Sequence, residues 1–481
     1  MYLLVFVGVI LILTIISLLI KDDRKRPIII LICGLFNLVY GIYIFQYVDS
    51  SLLPGYIKFD SIGKIIYLTY SILFFSLSVY ASNYLKMRSD RGNKIFIISM
   101  MANLLAAQFA CMAQDFGILW ASMEAATLFV TPLIYFNKTK FSIEATWKFI
   151  LLTSTGIAVA LLGTYMLGFT ALQTDGQGTI NFLKLQTIVP RMDTKWLFFS
   201  SLFMVIGYAS KIGLVPFHWW KPDSYGEAPG LIGGLLSGGL VSLAALCLLR
   251  IYQILFKSEV LAYISHILLI LGILSLAMTA ILIVNQKDLK RLLAYSSIEH
   301  VGIIAVGLGI GKMAIFGSLL HIVFNTIAKG ILFLNAGDIQ RIYGNKKISN
   351  ISGLMSVSPA IGSIFILGLF AAAGSPPFGL FISEFYIFLY GFKYGYNAVT
   401  LTVIILLGFI FIGLIRAGIN IAYGAQSTDN KQFKEFKPTK IMLLSELFLL
   451  AILLIPLFYF PQNILKTIKD SLLLLGVTTN G

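Results

Sequence analysis

Ionisable side chains inside apolar runs of membrane length include Glu124, Lys211, His321, Lys329, Glu384, Arg416 and Glu446. A charge at the bilayer centre costs at least about 2.5–3.5 kcal/mol, so each needs a partner or a task. Glu124 and Lys211 are the buried acid and base of the first half. A buried lysine loses its proton readily, and a nearby carboxylate restores the charged form, so the two make a proton switch if they meet. A static ion pair is the plainer reading. His321, Asn325 and Lys329 recur at intervals of four. Four helical residues turn 400°, which sets the three along one side over about 12 Å. A polar stripe of that kind through an apolar helix reads as a relay. Arg416 and Glu446 are expected to neutralise each other as a structural ion pair. His218, Lys221, Asp223 and Glu227 lie in a polar connection. They read as a proton entrance, His218 and Asp223 being the better candidates, or as a solvated loop.

The elements that carry these residues are membrane spans. The chain is 58% hydrophobic and 12% charged, with a mean hydropathy of +0.89. A soluble domain carries about 25% charged residues, so an all-α integral membrane protein is expected. A spanning helix needs about 20 apolar residues. Fourteen candidates follow: 2–20, 27–48, 65–85, 95–114, 116–136, 148–171, 196–217, 230–256, 259–284, 292–310, 313–334, 355–392, 397–424 and 440–461. The first has no basic residues before it and is long for a signal peptide, so it is expected to stay as an uncleaved span.

Charge supports the count. With Lys148, Arg250 and Lys440 counted with the connections they adjoin, connections after odd-numbered spans hold 22 of the 36 Lys and Arg, those after even-numbered spans and the tail hold 11, and Lys211, Lys329 and Arg416 lie deeper within spans. "KDDRKR" (21–26), "KMRSDRGNK" (86–94) and "KQFKEFKPTK" (431–440) are the basic clusters. The bias places odd connections in the cytoplasm and both termini outside, in a cell inner membrane. The net charge of +15 therefore sets topology and does not point to nucleic acid. Cys33, Cys111 and Cys247 are far apart, no CxxC pair occurs, and the four histidines (218, 266, 300 and 321) are scattered. No cofactor or metal is expected in this chain.

The seventh and twelfth runs are interrupted. One carries Gly213-Leu214-Val215-Pro216-Phe217 and the other Gly374-Ser375-Pro376-Pro377-Phe378, both Gly-x-x-Pro-Phe. Proline removes a helical hydrogen bond, and the freed carbonyls need partners. Paired interruptions in two halves point to internal repeats with broken helices at a transport path. The break at Pro216 is expected to let water reach Lys211.

"SKIGLVPFHWWKPDSYGEAPG" (210–230), "DLKRLLAYSSIEHVGII" (288–304) and "EATWKFILLTSTGIAVALLGTYML" (144–167) resemble the antiporter-like proton-pumping subunits of respiratory complex I, Mrp-type sodium/proton antiporters and membrane-bound hydrogenases. The "LAYSSIEHVG" form is most similar to hydrogenase-4 component F of the formate hydrogenlyase class. The resemblance covers spans 4 to 13. It implies fourteen spans, with spans 4–8 and 9–13 as inverted five-helix repeats and spans 7 and 12 discontinuous. The chain then divides into 1–94, a first repeat 95–256, a second repeat 257–424, and 425–481. It also implies that Glu124 and Lys211 are the coupling pair, Lys329 the central relay lysine and Glu384 the terminal residue facing the exit. Two positions depart from the family. Ser242 stands where a lysine or histidine is usual, and Asn325 where a second histidine is common. Neither holds an extra proton at neutral pH, so a path through them needs ordered water. After the tail "LKTIKDSLLLLGVTTNG" the long lateral helix of the distal complex I subunit is not expected.

The resemblance implies partners: further antiporter-like membrane subunits, peripheral electron-transfer subunits such as a nickel–iron hydrogenase with iron–sulfur proteins, and the lipid bilayer. A sodium/proton antiporter subunit and a complex I-type subunit are the alternatives within transport. Sodium would want clustered oxygen ligands, whereas the acids here are scattered in sequence. A membrane scaffold whose buried charges only join helices is the alternative outside transport, and the stripe on the eleventh span weakens it.

Overall fold

The computed structural model describes residues 2–47, 51–53, 55–425, 438–458 and 461–477. Residues 431–437 of the last basic cluster and 478–481 of the tail lie outside the described residues. The chain is helical, with one short antiparallel hairpin, β1 (Ser51–Leu53) and β2 (Ile57–Lys58). It begins with α1 (Tyr2–Leu19), α2 (Pro27–Tyr47), α3 (Ser61–Met87), α4 (Lys94–Met112), α5 (Phe116–Ile134) and α6 (Lys140–Asp175). Short α7 (Phe182–Ile188) leads to α8 (Thr194–Ile212), α9 (Trp220–Glu227), α10 (Gly230–Gly234) and, after a π-helical segment Leu235–Leu240, α11 (Val241–Leu255). Then come α12 (Val260–Ile283), α13 (Leu289–Ile310), α14 (Ala314–Tyr343), α15 (Leu354–Val357), α16 (Pro359–Ala372), α17 (Gly379–Lys393), α18 (Asn397–Tyr423), α19 (Lys440–Phe458) and α20 (Gln462–Leu474). Among the described residues, ten helices are long and apolar enough to cross a membrane.

Polar residues set the helix ends. Asp115 accepts a hydrogen bond from Ile118 N at the start of α5, and Asp193 one from Trp196 N at the start of α8. Asp288 accepts from Lys290 N and Arg291 N at the start of α13. Such caps satisfy amide donors that a helix leaves open. Side chains between the caps are mostly apolar, on every face where a helix is enclosed and on the outer face where it meets lipid. Leu401, Ile405, Phe409 and Ile412 of α18 are exposed, whereas nearly all of α13 and α14 is buried.

The interior is organised around α14, which packs against α3, α10, α13, α16, α17 and α19. The approach of α10 depends on glycine: a Cβ at Gly230 would sit 2.5 Å from Phe333 O. The twelfth run resolves into α16 and α17 on either side of its Gly-x-x-Pro-Phe segment, and the seventh into α8 and its break, with α9 following beyond it. Each break contains a positive-φ glycine (Gly213, φ +79°; Gly374, φ +63°) and a cis X-Pro bond, Val215–Pro216 and Pro376–Pro377. At Gly213 the left-handed backbone ends α8, a conformation that favours glycine.

Candidate functional site

In the first half, α5 and α8 bring together the acid and base singled out by sequence. Lys211 Nζ donates to Glu124 Oε2 at 2.8 Å, and the side chains are 4% and 17% exposed. The carboxylate's other oxygen accepts from Ser154 Oγ of α6 at 2.7 Å. A cavity of about 10 Å³ beside Lys211 is lined by Met123, Thr127, Thr153 and Trp220 among others. That is about the space of a single water.

The break after Lys211 is not left open along its backbone, whose groups find protein partners, while Pro216 itself is exposed. Val215 N donates to Ser275 Oγ at 2.9 Å, and Trp220 Nε1 donates to Ser210 O at 3.0 Å. These bonds satisfy backbone groups that the helix releases. The connection beyond it is likewise no solvated loop. It folds into α9, with His218 1% and Lys221 0% exposed. Asp223 faces outward and pairs with Lys148 at 2.9 Å and Arg291 at 2.7 Å, while Glu227 pairs with Lys346 at 2.6 Å. Asp223 thus ties α9 to α6 and α13.

In the second half, His321, Asn325 and Lys329 all lie on α14 and are fully buried. Lys329 Nζ donates to Ser296 Oγ at 2.7 Å, and Ser296 Oγ donates to Glu299 Oε2 at 3.2 Å. His321 Nε2 lies 3.0 Å from His300 Nδ1, and its Nδ1 lies 2.9 Å from Ser383 Oγ of α17. Glu384, the next residue, closes the group: one ligand atom from each of His300, His321 and Glu384 lies within 4.8 Å of the others. The histidines that looked scattered in sequence are therefore partly gathered in space. Both amide atoms of Asn325 are buried without a hydrogen-bond partner among the described residues. A buried amide in that state calls for water.

Glu299 and His300 of this cluster were not singled out from sequence, and Lys221 was read there only as part of a proton entrance or a solvated loop. Ser296, Glu299 and His300 stand at i, i+3 and i+4, which places them on one face of α13 and was a usable signal. Lys221 gave no such signal, because "WWKPD" reads as polar connection.

Two expectations change. Arg416 and Glu446 do not pair. Arg416 is exposed on α18, whereas Glu446 is fully buried on α19 and accepts from Asn335 Nδ2 of α14 at 3.1 Å. The cause is packing: α19 lies on α3, α14 and α16, which turns Glu446 inward. Ser242 is fully buried, and its hydroxyl donates to Gly239 O at 2.7 Å. Its proton is committed to its own helix, so Ser242→Ala is expected to leave coupled proton movement within about twofold of wild type, since a neutral local hydrogen bond contributes only about 0.5–1.5 kcal/mol to stability. Proton flux in sealed vesicles containing the variant complex checks this, and a large loss would put Ser242 on the path.

Comparison with known proteins bears on what this arrangement is. The sequence profile of the family described as NADH:quinone oxidoreductase/Mrp antiporter, transmembrane, matches residues 113–410. A hydrogenase-4 component F homolog of Methylacidiphilum infernorum is 32% identical over 342 residues, covering 69% of this chain and 72% of that protein. The fold is similar to that of a chain of the membrane-bound sulfane sulfur reductase, an archaeal respiratory membrane complex, with a TM-score of 0.86, 19% identity, and coverage of 99% of this chain and 98% of that one. A chain of the Mrp complex from Dietzia sp. gives a TM-score of 0.84 at 14% identity, with 98% and 97% coverage. With both charged centres buried among helices of membrane length, the chain is an antiporter-like membrane subunit and belongs to the NADH:quinone oxidoreductase/Mrp antiporter transmembrane family.

Proposed function

We propose that this chain is the proton-translocating, non-catalytic subunit of a membrane-bound redox complex of the hydrogenase type, moving protons through buried Glu, Lys and His side chains while partner subunits transfer electrons. The observation that carries the reading is the second-half cluster. A lysine and an acid share one hydroxyl there at 2.7 and 3.2 Å, and in the same buried cluster two imidazoles lie 3.0 Å apart, one of them 2.9 Å from a second hydroxyl. Groups that both take and give protons are what a relay needs, and a scaffold would be served by closed ion pairs.

In this reading Glu124 is a latch. At 2.8 Å it keeps the proton on Lys211, and when it swings away Lys211 gives the proton up. In the second half, a proton taken by Lys329 passes toward Ser296 and Glu299. The imidazoles of His300 and His321 share a hydrogen bond, so a proton accepted on one side is released on the other, toward Ser383 and Glu384 at the exit. Those two facing nitrogens are bonded to each other, which favours a relay over a resident metal. The chain itself holds no cofactor.

The same proposal includes fourteen spans, both termini outside, an inner-membrane location, and inverted repeats at 95–256 and 257–424 between the flanking segments 1–94 and 425–481. The matched breaks at Gly213 and Gly374 support the repeats. So do two matched helix starts: Asp115 caps α5 and bridges Asn181, while Asp288 caps α13 and bridges Lys347. The name of the Methylacidiphilum relative supports hydrogenase-type partners, with iron–sulfur proteins, among peripheral subunits, beside further antiporter-like membrane subunits.

The test uses the intact complex in sealed membrane vesicles with an internal pH dye. Adding electron donor is expected to drive proton movement in sodium-free buffer, and a protonophore is expected to collapse it. If movement requires sodium and sodium crosses in exchange, the chain is a sodium/proton antiporter subunit instead. If electron transfer proceeds and no ion moves, the relay reading fails.

A further inference from the structure

We propose that Lys221 is the proton carrier joining the two halves of the chain, an assignment that rests on the relay reading above. Lys221 stands on α9, the short helix after the break, and is 0% exposed. Its aliphatic stem lies against Gly213: a Cβ there would meet the Cδ of Lys221 at 2.8 Å. Gly213 is two residues beyond Lys211 and ends the helix that carries it. At the other end of the side chain, Nζ reaches Ser297 Oγ at 3.4 Å. Ser297 neighbours Ser296, the residue that accepts from Lys329 Nζ at 2.7 Å. One side chain therefore runs from the end of the Lys211 helix to the edge of the Lys329 site.

The surroundings distinguish a carrier from a strut. α9 is already fastened from outside by Asp223 and Glu227, and from within by Lys290, whose Nζ donates to Ala228 O at 2.9 Å. Lys148, Arg291, Lys346 and Lys211 all have carboxylate partners. Among the described residues, Lys221 makes no ion pair, and its recorded hydrogen bond is the long one to Ser297. A buried ammonium with no anion beside it is costly as a fixed charge. It is suited to alternate between a charged state and a neutral amine that accepts a proton through its lone pair. Lys211 gives its proton toward Lys221. Lys221 passes one to the Ser297–Ser296 hydroxyls and so to Lys329, and returns to the amine. No proton is created or lost in the sequence.

The experiment compares Lys221→Met, Lys221→Arg and Ser297→Ala in the assembled complex in sealed vesicles, reading proton movement and electron transfer together. Methionine keeps the length of the stem without the amine. Arginine keeps the charge but does not release its proton. Both are expected to assemble and to lose proton movement on the order of 100-fold, the scale of a missing proton-transfer group. Ser297→Ala is expected to assemble normally and to slow proton movement. Wild-type proton movement in Lys221→Arg would show that a fixed charge suffices and would overturn the assignment, as would wild-type movement in Lys221→Met. If Lys221→Met fails to assemble, Ser297→Ala decides: slowed movement supports the carrier, and an unchanged rate overturns it. Normal pumping in the Lys221 variants alongside its loss in Lys211→Ala sinks this inference and leaves the relay reading standing. Normal pumping in Lys211→Ala as well sinks the relay reading itself.

Discussion

Replacing Lys211 by alanine is expected to abolish ion-coupled turnover, by about 100-fold or more, while the complex still assembles. Both halves of that result follow from the geometry. Lys211 Nζ is 2.8 Å from Glu124 Oε2, so removing it takes away the group that the acid holds in its protonated state. Alanine offers nothing that carries a proton. An acid left charged and unpaired in the interior would cost about 3–5 kcal/mol, but a carboxyl group escapes that cost by taking up a proton. Ser154 still donates to Oε1, so the neutral acid keeps a partner. The break keeps its own supports, because Val215 N and Trp220 Nε1 are held by Ser275 Oγ and Ser210 O, neither of which involves the lysine. Glu124→Gln is the companion variant: it preserves the hydrogen-bonding shape and removes the latch. Native electrophoresis measures assembly and vesicle pH measures coupling. If the Lys211→Ala complex assembles poorly, and the fraction that assembles pumps normally, the pair is a structural salt bridge.

The ten helices long and apolar enough to span were legible because their signal is local: an apolar run of membrane length needs no knowledge of its neighbours. Where the edges moved, local chemistry explains it. The sixth span, read at 148–171, is the longer α6, and its start is marked by a capping box in which Thr139 and Ser142 bond each other's backbone amides. The seventh, read at 196–217, stops at Ile212 because Gly213 takes a left-handed conformation. α9 was not legible. A segment with Pro222 and Gly226 has weak helical propensity, and it becomes helical where ion pairs and the walls of α6 and α13 hold it.

The site divides along the same line. The i, i+4, i+8 stripe of His321, Asn325 and Lys329 was readable because all three stand on one helix. Their partners on α13 and α17 depend on which faces meet, and sequence order does not give that. Arg416 and Glu446 show the cost of assuming it. They stand on consecutive spans, yet one faces outward and the other faces Asn335. His218 and Lys221 were misplaced for a related reason. A basic residue in a polar stretch reads as solvated unless the stretch is known to fold inward.

Lys329→Met is expected to stop coupled proton movement about as completely as Lys211→Ala, on the order of 100-fold. Lys329 is fully buried, and its recorded hydrogen bond goes to Ser296, a hydroxyl shared with Glu299. Methionine has nearly the volume of the lysine stem and packs in its place without opening a cavity. Ser296 keeps its bond to Glu299, and Glu299 can become neutral by protonation, so the fold survives. What disappears is the one amine of α14, between Ser297, where Lys221 of the first half arrives, and the imidazole pair that leads to Glu384. Neither Asn325 above it nor Ser296 beside it holds a spare proton, so nothing on that face replaces it. Lys211→Ala and Lys329→Met should therefore be no worse combined than singly, because each interrupts the same series path. The double variant is the sharper measurement. If the two losses are partial and multiply in the double variant, the halves conduct protons in parallel and the single path across the chain is wrong.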